Sequence, residues 1–117
     1  GARGLWDPAA RTIWIEAAYS DAWAAPVLAH ELEHVKRCDS GPQGPGVERL
    51  IDERVARLFV DPVRYARAEG LVGPDPVLIA DELGLPAWVV RAWQRRARRR
   101  LCRIVMLDPL VAVAERL

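Results

Sequence analysis

The chain is predicted to be α+β, a small N-terminal antiparallel sheet followed by helices, on three observations. Residues 4–17 hold two short β-branched and aromatic runs about a proline turn. Most of the chain beyond residue 17 is punctuated as helices are, by Ser or Asp before apolar runs and by Gly or Pro after them. Finally, 51% of the 117 residues are apolar, enough for a single core without disulfides or a structural metal. Any metal here would serve chemistry. The expected division is a core over 1–75 and a helix-turn-helix-like, Arg-rich helical extension over 76–117, packed on the same domain.

Charge divides the chain more sharply than composition does. Residues 1–90 carry nine Lys or Arg against fourteen Asp or Glu, and residues 91–117 carry eight against two. The acidic part is net −5 and the tail net +6, so the tail needs its own explanation. Cys38 and Cys102 form no C-x-x-C pair, and no signal peptide or long apolar run is present. The expectation is a cytoplasmic protein with free thiols and no membrane partner.

In chain order, Leu5 and Trp6, a turn at Asp7-Pro8, and the run from Arg11 to Glu16 read as a hairpin. A strand beside a functional helix can offer backbone groups to an extended peptide. Ser20 or Asp21 is placed to cap the next helix, which is expected to start near Ala25, with Pro26 in its first turn, and to run to about Arg37. This helix carries His30-Glu31-Leu32-Glu33-His34, an H-E-x-x-H pattern. At about 100° per residue, His30 and His34 share one face a turn apart and can grip one metal ion. Glu31 and Glu33 flank that face symmetrically. Spacing does not choose between them; the usual assignment of the pattern makes Glu31 the general base.

Cys38 lies about 12 Å along the axis from His30, too far to share a metal with both histidines, and reads as a packing residue. No further histidine exists, so a third ligand has to be a carboxylate. A breaker-rich loop over 39–46 leads to a helix from Val47 to about Val60, which offers Glu48, Asp52 and Glu53.

In this helix the run Glu53-Arg54-Val55-Ala56-Arg57-Leu58-Phe59-Val60, a Glu-x-x-Ala-x-x-Phe pattern about twenty residues after H-E-x-x-H, resembles the ImmA/IrrE family of metallo-endopeptidases. The upstream hairpin and the entry Val27-Leu28-Ala29-His30-Glu31-Leu32 are similar as well, and the resemblance spans roughly Gly4 to Arg96. It implies a mini-zincin core, zinc as the cofactor, His30, His34 and Glu53 as its ligands, and Glu31 as the catalytic base. It also implies proteolysis of a helix-turn-helix repressor, in phage, mobile-element or stress regulation of a bacterial host. Glu33 stands where the family commonly has Gly. For transition-state stabilisation the available phenols are Tyr19 and Tyr65, with Arg54 and Arg64 the nearby cations.

Pro62 opens a short helix over Val63–Glu69, closed by Gly70. The run from Val77 to Trp93 reads as helix-turn-helix, with small Ala80 and a turn at Gly84. Seven arginines then fall between Arg91 and Arg103, and Trp93, Ala97 and Leu101 form an apolar seam among them. Arg91, Arg95, Arg96, Arg98, Arg99 and Arg103 are the candidates for binding DNA phosphates or an acidic partner. The rival reading of the whole chain is therefore a weak or inactive peptidase fold that binds DNA or protein through this helix. Asp108-Pro109 would start a last apolar helix, with a core or dimer contact as its role.

Overall fold

The computed structural model describes residues 4–107, and within them the fold is α+β as expected. Strands β1 (Gly4–Asp7) and β2 (Thr12–Ile15) form an antiparallel hairpin with Gly4 opposite Ile15 and Asp7 opposite Thr12. The four-residue turn holds because the Asp7 carboxylate accepts the Ala10 N–H at 3.2 Å and the Arg11 N–H returns to the Pro8 carbonyl at 3.3 Å. Helices α1 (Asp21–Arg37), α2 (Pro45–Phe59), α3 (Pro62–Val72), α4 (Pro76–Leu83) and α5 (Ala87–Leu107) complete the order.

Three expected boundaries are corrected, that of α2 by a start at Pro45 instead of Val47. Helix α1 begins at Asp21 rather than near Ala25, so Pro26 lies inside it. Proline there gives up one backbone hydrogen bond, and the ring is fully buried in compensation. Ser20 occupies the cap position through its carbonyl, which accepts from Trp23 and Ala24, without a side-chain cap. Helix α3 runs through Gly70 to Val72 and is closed by Gly73, whose φ of 83° only glycine adopts without strain. Cys38 does not pack: it is exposed, in the left-handed region at φ 59°, and it ends α1.

Proline at the first helical turn recurs in α2, α3 and α4, with Asp61 and Asp75 capping the latter two by accepting from Val63 and Val77. Two apolar clusters join the helices. Ala56 of α2 and Val60 just beyond it meet Val89 and Ala92 of α5, and Ala68 of α3 meets Ile79, Ala80 and Val90 across α4 and α5. The segment from 76 onward thus shares its core with the segment before it. Helices α4 and α5 do form a helix, a turn at left-handed Gly84, and a second helix. Helix α1 packs on α2 on one side and on the hairpin on the other. Among the described residues no helix is long and apolar enough to cross a membrane. The expected last helix from Asp108 lies outside the described residues, and residues 104–107 instead continue α5.

Candidate metal centre

Helix α1 presents His30 and His34 on its buried face, their ring centroids 5.0 Å apart. The residue that α2 brings to them is Glu48, not Glu53. Glu48 Oε2 lies 2.8 Å from His30 Nε2 and 3.2 Å from His34 Nε2, and the two nitrogens are 3.3 Å apart. Ligand atoms on a tetrahedral zinc with bonds of about 2.0–2.1 Å stand about 3.3–3.4 Å apart, so this triangle is close to one face of such a site. Donor type and spacing both fit.

The far nitrogen of each ring is held by a carboxylate. His30 Nδ1 is 2.7 Å from Asp52 Oδ1, and His34 Nδ1 is 2.9 Å from Asp39 Oδ2. With both Nδ1 protons donated outward, both Nε2 lone pairs face the Glu48 carboxylate. Three electron pairs aimed at one point need a cation or protons between them.

Local structure explains how each partner arrives. Glu48 and Asp52 are one turn apart on α2 and so meet both nitrogens of His30. Asp39 arrives through the left-handed turn at Cys38, where the Cys38 N–H bonds to the Val35 carbonyl and the Asp39 N–H to the His34 carbonyl. The His34 hydrogen bond first, and Arg37 second, hold the Asp39 carboxyl below its ordinary 3.8. Trp88, at the start of α5, sets its ring edge-on to His30 at 6.2 Å.

A cleft of about 340 Å³ opens over these groups, lined by Glu31, His30, His34 and Glu48 and by Gly4, Leu5 and Trp6 of β1. Glu31 is buried in its wall, at 7% exposure. Glu33 does not line it. Its carboxylate pairs with Lys36 at 3.1 Å and Arg54 at 3.5 Å on another side of α1. Position in the fold thus separates two glutamates that spacing left equivalent.

The other expected residues lie elsewhere. Glu53 is buried, with its two oxygens each 2.8 Å from a guanidinium nitrogen of Arg99. Its side chain points about 100° round the helix from Asp52, toward α5 instead of α1. Tyr65 is also away from the cleft, donating to Glu69 at 2.8 Å and accepting from Gln94 at 3.1 Å. Tyr19 stacks obliquely on Trp23 and is not among the cleft residues. Arg54 is spent on Glu33, and Arg64 is exposed on α3. Of the arginines, Arg91, Arg98 and Arg99 are exposed, Arg95 and Arg96 are half-buried, and the Arg103 side chain lies outside the described residues.

Sequence reasoning offered Glu48 but gave the ligand role to Glu53, and it missed Asp52 and Asp39 as holders of the outer nitrogens, Gly4 as a wall of the cleft and Trp88 as the ring against His30. One signal was present for two of these: Glu48 and Asp52 repeat the i, i+4 spacing of His30 and His34. No protein-family model, curated protein or solved structure matches this chain significantly.

Proposed function

We propose that this protein is a zinc-dependent metallo-endopeptidase, similar to the ImmA/IrrE family, with His30, His34 and Glu48 as the metal ligands and Glu31 as the general base. The observation that carries the reading is the convergence of His30 Nε2, His34 Nε2 and a Glu48 oxygen within 4.8 Å of one another in a cleft that Glu31 also lines.

When bound, a zinc ion supplies Lewis-acid polarisation and brings a water into the range of pKa about 7. The chain supplies the rest. Asp52 and Asp39 orient the imidazoles and, in the neutral rings, take the proton on Nδ1, which leaves Nε2 as the ligand atom. Glu31, enclosed beside β1, is placed to take a proton from the nucleophilic water and return it to the leaving amine. The wall of Gly4, Leu5 and Trp6 gives an extended substrate a strand to lie along. The expected substrate, by the same resemblance, is a helix-turn-helix repressor.

The test uses zinc content and cleavage together. Purified protein should hold about one zinc per chain by mass spectrometry and cut a helix-turn-helix repressor. Glu31→Gln should keep the zinc and lose cleavage by about 10²-fold or more. A chain that holds no zinc after loading and dialysis, or a Glu31→Gln variant that cleaves like the parent, overturns the reading.

A further inference from the structure

The excess positive charge of the C-terminal half is concentrated at a second hollow, which shares no residue with the cleft over the histidines. It is about 510 Å³, lies between the N-terminal half of α2 and the middle of α5, and is lined by Arg49 and Glu53 from α2 and by Arg95, Arg98 and Arg99 from α5. Four guanidinium groups therefore face one carboxylate. That carboxylate is already taken, since Arg99 holds both of its oxygens at 2.8 Å.

The protein leaves the remaining cations undersupplied with acceptors. Arg95 approaches Glu53 only at 3.9 Å, and its Nε and Nη2 are enclosed with no hydrogen-bond partner among the described residues. Enclosed donors without acceptors are uncommon, and here they leave the Arg95 charge only weakly offset at the wall of the hollow. Positive charge also crowds the rim, where Arg57 of α2 and Arg99 and Arg100 of α5 face Arg96.

We propose that this groove binds the phosphate backbone of nucleic acid. The cations form two rails instead of converging on a point. Arg49 and Arg57 are two turns apart on α2, a span of about 12 Å, while Arg91, Arg95 and Arg98 recur along α5 over about 10 Å. Either rail matches about three phosphates of one strand of a duplex, at about 3.4 Å of axis each. An acidic protein segment is the weaker fit. Peptides need apolar anchors, and the groove offers only Leu50 among the described residues.

The mode differs from a recognition helix. Val89, Val90 and Ala92 in the first turns of α5 are fully buried, which leaves Arg91 the one exposed side chain among residues 87–92 to reach a base edge. Contact through arginines farther along α5 and on α2 is contact with phosphates, independent of sequence.

The experiment is fluorescence polarisation of the full chain with a labelled duplex of mixed sequence, about 20 base pairs long, between about 50 and 200 mM salt. Arg49→Ala with Arg98→Ala removes two exposed cations that hold no ion pair among the described residues. It should weaken binding about tenfold and lower the log–log salt slope by about 2. Arg64→Ala with Arg67→Ala, exposed on α3, removes the same charge away from the groove and should change neither by more than about twofold. Three results overturn the proposal. They are no binding at the lowest salt, equal losses in the two double variants, or polyglutamate of equal charge competing as well as the duplex does. A preference above about tenfold for one duplex sequence over its scramble would overturn the backbone mode.

Discussion

Asp52 Oδ1 lies 2.7 Å from Nδ1 of His30, one helical turn along α2 from Glu48, whose carboxylate meets the other nitrogen of the same ring at 2.8 Å. One face of α2 therefore supplies both the proposed third ligand and a carboxylate on the outer nitrogen of His30. Asp52→Asn keeps the size and loses the full acceptor, freeing His30 to turn or to change tautomer. Zinc affinity should fall by about 10–100-fold, as measured by competition with a chromogenic chelator. Asp39→Asn should act similarly through His34. Unchanged affinity in both would show that the carboxylates do not orient the rings.

Glu48 and Glu53 make opposite predictions about metal removal. Glu48→Ala should abolish retention of zinc on dialysis while leaving the fold intact, because Glu48 is a third exposed and belongs to neither apolar cluster. Glu53→Gln should retain zinc. Its cost appears in stability instead, about 1–3 kcal/mol, because a neutral amide pairs weakly with Arg99 inside the α2–α5 contact. Arg99 is more than half exposed, so its lone charge is solvated and the upper figure is a ceiling. Zinc loss in Glu53→Gln with retention in Glu48→Ala would restore Glu53 as the ligand.

Gly4 is where the hairpin touches α1. A Cβ there would stand 2.8 Å from Val27 Cγ1 and 3.2 Å from both Glu31 Cγ and the Trp14 carbonyl. Gly4→Ala must therefore move β1 off α1 or displace Glu31. The expected outcome is a loss of about 1–3 kcal/mol in denaturant unfolding together with reduced cleavage at unchanged zinc content. Normal stability and normal cleavage would mean that β1 yields freely and does not set the position of Glu31.

The parts legible in the sequence were those set by local rules. The hairpin followed from its turn and β-branched runs, the two histidines from i, i+4 geometry, and the carboxylate helix from its position after the loop. What failed was the choice of face. Glu48, Asp52 and Glu53 sit on one helix, and which of them meets α1 depends on how Ile51, Val55 and Ala56 bury, and on Arg99 drawing Glu53 the other way. Glu53 and Arg99 stand 46 residues apart in the chain, a separation invisible to a local pattern. Pro26 misled for a similar reason, because burial of its ring outweighs a missing hydrogen bond that local preference counts in full. Cys38 misled because a left-handed C-terminal turn is expected at Gly, and only the bond from Asp39 to His34 explains why that turn is placed there.

Tyr65, set aside from the site, governs a pH dependence of the helical half. Burial pushes its phenol above the ordinary 10.0; the hydrogen bond from Gln94 opposes this, and Glu69 adds to it. As the pH rises past 10.0 the unfolded chain releases this proton while the folded chain keeps it. The folded state then binds more protons, so stability falls with rising pH until the folded phenol itself ionises. Below 10.0 the contribution is fully present. Tyr65→Phe lacks the titration: it should be less stable than the parent at about pH 8, by about 1 kcal/mol for the lost hydrogen bonds, and that gap should narrow by about pH 11 in urea midpoints. A gap that stays constant across this range would mean that the folded protein does not hold the Tyr65 proton more tightly than the unfolded chain does.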